Sequence, residues 1–303
     1  EIDSLALANE QLRLNEAFKA FFEKRNGYPK YKTKNDKQSY TTNAVNNNIR
    51  LIKKDKIDYI KLPKVGLVRI KKHRKVEGLI KQATITKTKS GEYYVSIMVE
   101  TDKVYESKEI KSINALDYKS DGLYVDRNGV CNMPHFYKES QEKLAKLQRQ
   151  LSKKKKGSNN YNKQKKKLAK FSEHVSNQIL DFLHKESTKI TNLYDAVIVE
   201  DIDLKEISSS KSKYHLGKAT TDNGYGMFVS MLDYKLKRKG GILIKADKYF
   251  ASSQICSCCG YQNKDVKDLS VRNWICPKCK TNHDRDKNAV KNLLNYGIKY
   301  LES

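Results

Sequence analysis

At 303 residues, 38% of them hydrophobic, the chain can bury a core and still have surface left over, so one catalytic domain with smaller modules is expected. No apolar run approaches the roughly 20 residues that span a bilayer, and no leader with a cleavage site opens the chain, so no membrane role is expected. The 61 Lys and Arg against 35 Asp and Glu give a net charge of +26, a self-repelling field that a polyanion neutralises; nucleic acid becomes the default partner over a merely soluble basic protein.

The sequence begins at Glu1, without a methionine, in what reads as the middle of a helix, so a preceding segment is expected. Leu14, Phe18, Phe21 and Phe22 recur at helical spacing and predict an amphipathic helix, stopped by Gly27 and Pro29. The following Tyr-Pro-Lys-Tyr-Lys-Thr-Lys (28–34) interleaves rings and lysines, which suits a surface that tracks a nucleic-acid backbone. Tyr31 and Tyr40 are candidates to stack on bases, with ordinary packing as the alternative. From Ile49 to Thr101 the pattern turns to short β runs: Val68 to Ile70, Ile80 to Thr86 and Tyr93 to Val99. No cluster of reactive side chains appears there.

Ile113-Asn-Ala-Leu-Asp117 reads as a strand, with Leu123 to Val125 as a hairpin partner before the turn Asp126-Arg-Asn-Gly129, so Asp117 falls at a strand end. Residues 143 to 170 hold twelve Lys or Arg and no acid; Leu144, Leu147 and Leu151 keep helical spacing up to a break at Gly157-Ser-Asn-Asn160. A second helix is predicted from Asn162 to Ile190, with Leu168, Phe171, Val175, Ile179, Phe182 and Leu183 on one face. The result is a helical hairpin with a basic tip, Lys153, Lys154, Lys155, Lys156, Lys165, Lys166 and Lys167, placed for phosphate contact rather than as a solvated face alone. Ala196-Val-Ile-Val199 is the continuous apolar run of a central strand and delivers Glu200. Ser208 to Tyr214 reads as a loop able to act as a lid; a helix over Met227 to Lys239 and a strand Ile242 to Lys245 follow.

Four of six cysteines form two CxxC pairs, Cys256/Cys259 and Cys276/Cys279, sixteen residues apart, the spacing of a four-thiolate zinc ribbon in a reducing compartment. Such a site is closed and structural. Cys131 and Cys258 are left for packing or surface positions. In the helix predicted next, Ala289, Val290 and Leu293 lie three, four and seven residues after Asp286, so Asp286 shares the buried face. Asp284 aligns with Lys287 and Asn288 on the wet face and reads as a cap. Asp117, Glu200 and Asp286 thus each enter from an apolar element. Buried acids need a partner or a cation, and three of them converging would hold Mg²⁺, an oxygen-seeking ion; three unrelated acids ending three elements fit the pattern equally well.

At these residues a resemblance appears. Leu-Asp-Tyr (116–118), Val-Glu-Asp-Ile-Asp-Leu (199–204), Phe-Ala-Ser-Ser-Gln-Ile-Cys-Ser-Cys-Cys-Gly (250–260) and His-Asp-Arg-Asp-Lys-Asn-Ala (283–289) are similar to successive motifs of the TnpB (OrfB) proteins of insertion sequences, RNA-guided nucleases related to the type V CRISPR effectors. The resemblance implies an α/β fold: an RNase H-like (RuvC) nuclease domain with an inserted helical hairpin and zinc ribbon, a small β wedge-like module and a partial N-terminal helical region. Its implied layout is a recognition region over 1–48 and the wedge-like module over 49–108. The first part of the nuclease domain follows over 109–250, with the hairpin at about 138–190, then the ribbon over 251–282 and the last RuvC helix over 283–303. Asp117, Glu200 and Asp286 match the family's catalytic acids, implying two Mg²⁺ ions in catalysis beside the structural Zn²⁺. Implied partners are a guide RNA from the transposon end and double-stranded target DNA beside a short flanking motif. A monomer per guide RNA is implied too, in the cytoplasm of a prokaryote at the nucleoid. The family's first motif is usually Gly-Ile-Asp-Leu-Gly; here it is Ala-Leu-Asp-Tyr-Lys (115–119), so the backbone beside the metal is expected to differ.

The leading expectation is therefore an RNA-guided DNA endonuclease. A nuclease-inactive RNA-guided DNA-binding regulator is the alternative, although no acid has been lost. A strand-transfer transposase ranks lower, because the acid order is Asp, Glu, Asp rather than Asp, Asp, Glu. A plain zinc-ribbon RNA-binding protein ranks last, because it leaves the strand acids unexplained.

Overall fold

The computed structural model describes residues 2–34, 36–202, 224–268 and 270–302. It divides into two compact units, one of Glu1–Val104 with Lys156–Lys170, the other of Tyr105–Lys155 with Phe171–Ser303.

In the first unit, helix α1 (Ser4–Phe22) is capped by Asp3, whose carboxylate accepts the Leu5 amide at 3.2 Å. Its buried residues are Ala6, Asn9 and Ala20, whereas Leu14 and Phe22 lie in solvent, so the apolar stripe read from the sequence is not the face that packs. Small and polar side chains make the seat instead: Asp3 accepts from Thr42, Arg13 donates to Thr41, and Gln82 donates to Asn9. Phe18 and Phe21 turn to Tyr28, with ring centroids 5.7 and 5.3 Å away. Six strands follow, β1 (Gln38–Asn43), β2 (Arg50–Lys54), β3 (Ile57–Leu62), β4 (Gly66–Ile70), β5 (Leu79–Lys87) and β6 (Tyr93–Glu100), in two antiparallel sheets ordered β2-β3-β4 and β1-β5-β6. Ile49, Ile60, Leu62 and Ala83 form their core. The β region reaches back to Gln38, ahead of the boundary expected at residue 49, because β1 pairs along its length with β5.

The second unit is built on a five-stranded mixed sheet. Strands β7 (Ile113–Tyr118), β8 (Tyr124–Asp126), β9 (Gly129–Cys131), β10 (Ala196–Glu200) and β11 (Ile242–Ala246) take the order β11-β10-β7-β8-β9. The β11-β10 and β10-β7 pairs are parallel and the β7-β8-β9 run is antiparallel. One face buries Leu116, Val197 and Val199 against Val175, Ile179 and Leu183 of α3 (Asn159–Leu193) and Phe228 and Leu232 of α4 (Tyr225–Arg238). The other buries Ala115, Ile198, Ile244 and Ala246 against Val290 and Leu293 of α5 (Arg285–Glu302). Side chains alternate between faces along a strand, so residues 115 and 117 of β7 and residues 198 and 200 of β10 look towards α5. Gly297 is the point of closest approach: a Cβ there would overlap the Ile198 side chain.

A polar latch fixes the strand register at the opposite end. Asp195, just before β10, accepts the amides of Lys111 and Ser112 at 3.0 Å each and the Ser112 hydroxyl at 2.9 Å, and pairs with Lys108. The Lys108 ion pair, with these hydrogen bonds, lowers the Asp195 carboxyl to a pKa of about 2. Ala196 then pairs with Ile113 and Val199 with Leu116.

Helix α2 (Phe136–Ser152) precedes the 35-residue α3, with the break at Gly157, whose φ of +82° suits glycine. Both helices run beyond the limits read from the spacing of their apolar residues. No described helix is long and apolar enough to cross a membrane.

Candidate metal centres

Asp117 and Glu200 each lie one residue past the last paired positions of β7 and β10, Leu116 and Val199, which places them level on neighbouring parallel strands and on the same face. Asp286 enters from the first turn of α5, the helix that covers that face. The three share one electrostatic field. Burial, then the charges of Glu200 and Asp286, push the Asp117 carboxyl well above the ordinary carboxylate range, against the pull of Arg285 and Lys119. Glu200 is raised by burial, against a hydrogen bond from Ser252 and the charge of Arg285.

The acids do not form a tight set of oxygens by themselves. Asp286 pairs with Lys119 at 3.6 Å and Arg272 at 3.5 Å. Among the described residues, donor atoms of three or more candidate ligands lie within 4.8 Å of one another only in the cysteine cluster. Hard carboxylate oxygens that repel one another fit a divalent cation, which would relieve the repulsion now countered by lysine and arginine.

The helix start resolves the two neighbouring aspartates as the periodicity predicts. Asp284 accepts the Lys287 amide at 2.9 Å and is the exposed cap, while Asp286 is half-buried. One expectation fails. Asn288, placed on the wet face by spacing, is 1% exposed. Its amide donates to the Ile255 carbonyl at 2.7 Å and its oxygen accepts from the Ser257 amide at 3.0 Å, so backbone partners replace water.

Several residues around the acids have roles that composition and periodicity do not signal, although Ser252 and Arg285 lie within the quoted motifs. Ser252 is 3% exposed and donates its hydroxyl to Glu200. Arg285 is buried, donating to the Asp268 carbonyl at 2.7 Å while its charge acts on Asp117 and Glu200. Tyr225 packs at a tilt of 58° against Tyr118, ring centroids 4.7 Å apart, and burial together with the charges of Glu200 and Asp117 raises its phenol pKa. Their partners are remote in sequence, and only the fold brings them together.

The second centre is the cysteine quartet. Its two halves repeat one turn: the Gly260 amide donates to the Cys256 carbonyl and the Lys280 amide to the Cys276 carbonyl, both at 2.9 Å, with positive φ at Gly260 (+76°) and Lys280 (+62°). The Cys256–Cys279 and Cys259–Cys276 sulfurs are 3.6 Å apart. A tetrahedron with metal–sulfur bonds of roughly 2.3 Å has edges of about 3.8 Å, so the quartet fits zinc. Thr281 hydrogen bonds lower the Cys279 thiol to about 6, while burial pushes Cys256 up to about 12. The His283 Nε2 atom is 3.0 Å from the Cys256 sulfur, and its ring lies 4.6 Å from Trp274. Cys258 is exposed and outside the quartet, and Cys131 is half-buried.

Of the other candidates, Lys153 to Lys156 and Lys165 to Lys167 are all exposed. Tyr31 is fully exposed, whereas Tyr40 is half-buried in β1 opposite Ile85. Ser208 to Tyr214, read as a lid, lies outside the described residues.

Two family models match the chain: a probable transposase model of the OrfB/IS605 type over residues 95–211, and a Cas12f1-like TNB domain over residues 225–293. A Streptomyces pristinaespiralis protein is 28% identical over 300 residues, 98% of this chain and 72% of its own length, and is provisionally named an RNA-guided DNA endonuclease. An Escherichia coli K12 protein, provisionally named the RNA-guided DNA endonuclease InsQ, is 29% identical over 297 residues, 94% of this chain and 72% of its own. A Cas12f1 solved with sgRNA and target DNA superposes with a TM-score of 0.60 at 14% identity, over 94% of this chain and 69% of that one; this likeness concerns the fold.

Proposed function

From the premise that this chain is related to the TnpB (OrfB) proteins of insertion sequences, we propose that it is an RNA-guided DNA endonuclease cutting double-stranded target DNA by metal-dependent phosphodiester hydrolysis. The observation that carries the reading is the placement of Asp117 and Glu200 level on adjacent parallel strands beneath the helix that supplies Asp286.

The mixed sheet with its flanking helices is an RNase H-like (RuvC) domain, and the two cysteine turns are a zinc ribbon with a structural role. Asp117, Glu200 and Asp286 would hold Mg²⁺, two ions on the family pattern, which would supply the Lewis-acid chemistry that activates water and stabilises a leaving 3′ oxygen. Ser252 donates a hydrogen bond to Glu200, the charge of Arg285 offsets that of the acids, and Lys119 and Arg272 hold the Asp286 carboxylate by ion pairs. The nucleic acids are a guide RNA from the transposon end and a target with a short flanking motif. RNA pairing reads the sequence while the protein reads shape and that motif. The basic hairpin tip lies along the guide or heteroduplex backbone, the first 48 residues and the wedge-like module contribute to recognition, and one monomer acts per guide in the prokaryotic cytoplasm at the nucleoid.

The test is cleavage of a matching plasmid by the protein, its co-purified RNA and Mg²⁺. Asp117→Asn and Glu200→Gln are expected to reduce cleavage by about 10²- to 10³-fold with target binding retained, the scale of removing a group that stabilises charge in the transition state. Cleavage unchanged in both variants would sink the site assignment. Target binding by the unmodified protein without cutting, in Mg²⁺ or Mn²⁺, would select the nuclease-inactive regulator instead.

A further inference from the structure

The strap that leads into the first cysteine turn is pinned to the acid-bearing elements at three points, all by buried side chains. Ser252 donates its hydroxyl to Glu200, and its own carbonyl accepts from Asn292 of α5 at 2.7 Å. Asn292 also donates to the Ile255 carbonyl at 2.6 Å, where Asn288, one helical turn earlier, donates at 2.7 Å. Asn288 then closes the strap by accepting the Ser257 amide, next to Cys256. Ser252, Asn288 and Asn292 are 3%, 1% and 5% exposed, so no water substitutes for these bonds. Buried polar side chains spent on backbone carbonyls fix a backbone path, and this path ends at a carboxylate.

We propose that Ser252, clamped by Asn292, is a positioning residue that orients Glu200 for cation binding, so that the cysteine module sets the geometry of the metal-binding acids. This rests on the reading of Glu200 as a metal ligand. A hydroxyl donated to one carboxylate oxygen leaves the other free to face a cation and removes the rotational freedom the carboxylate would otherwise lose on binding. The neighbouring backbone, held by two asparagines, prevents the serine from following a rotated carboxylate. Outer partners of metal ligands of this kind change affinity by about 10- to 100-fold when removed.

Mn²⁺ binding, followed by electron paramagnetic resonance on the protein with its co-purified RNA, tests this without reference to cleavage. Ser252→Ala is expected to weaken Mn²⁺ binding by about 10-fold, Ser252→Thr to restore most of it, and Asn292→Ala to weaken it without adding to Ser252→Ala in the double variant. In cleavage assays the Ser252→Ala defect should shrink as Mg²⁺ is raised, with target affinity unchanged. Equal Mn²⁺ affinity in Ser252→Ala and the unmodified protein would overturn the proposal, as would a defect that Ser252→Thr does not relieve. A loss of target binding or of the folded state in step with the loss of metal affinity would also overturn it, by assigning Ser252 a purely structural role. If the unmodified protein binds Mn²⁺ through Glu200 but cuts nothing, the nuclease reading fails while the positioning role stands.

Discussion

Asp117 sits in an environment at odds with its charge. Its carboxyl is pushed up by burial and by two neighbouring acids, so the folded chain binds a proton there more tightly than the unfolded chain does. For a raised acid the sign is destabilising on ionisation: stability falls as pH rises above the unfolded value near 4, up to the folded pKa. In metal-free buffer at pH 7, Asp117→Asn is therefore expected to raise stability and to flatten the pH dependence of Tm. Added Mg²⁺ should stabilise the unmodified protein more than the variant. A variant less stable than the parent in EDTA would show that the Asp117 environment is not electrostatically strained. Such residues were legible as candidates because an acid at the end of an apolar strand is conspicuous. Ser252 and Arg285 fall inside the quoted motifs, but their roles were not legible there, because a serine in a loop and an arginine among aspartates look like ordinary surface until the fold supplies their partners.

At the scale of elements, strands were read well wherever burial is continuous. Ala196 to Val199 is wholly buried and could hardly be anything but a central strand. Faces were read less well. Spacing places Asn288 on the wet side and Leu14 on the dry one, and both are reversed, because beside its aliphatic face α5 also meets the Ile255 carbonyl, and α1 seats on threonines and a glutamine. Hydrophobic periodicity cannot register a packing face made of hydrogen bonds. The Asp195 latch is a third such case, and it carries its own prediction. Its carboxyl is lowered to about 2, chiefly by Lys108, so it contributes stability that is present above the unfolded value near 4 and lost as pH falls towards 2. Asp195→Asn should destabilise the protein at pH 7 and remove that part of the acid unfolding slope between pH 4 and 2. Superimposable acid denaturation curves would deny the latch a role in stability.

For the whole molecule, the excess of cations is the dominant fact, and the exposed lysines at 153 to 156 concentrate part of it. Changing these four to glutamine should weaken nucleic-acid binding and make log Kd less steep in log salt, by roughly 2.8 to 3.6 if all four meet phosphates, since each neutralised phosphate contributes about 0.7 to 0.9 to the slope. An unaltered slope would remove them from the interface.

The latch and the two strand acids also impose a counting rule on the gene. Ser112 to Asp117 and Asp195 to Glu200 are both steps of five residues. Because side chains alternate, one codon inserted or removed inside either step turns the following carboxylate to the opposite face of the sheet. Length can drift in the turns and linkers, where an added residue is absorbed locally. Within these two five-residue steps it cannot, so a library of single-codon insertions and deletions should show two short windows of complete intolerance, with change borne in exposed turns between them such as that at Gly157.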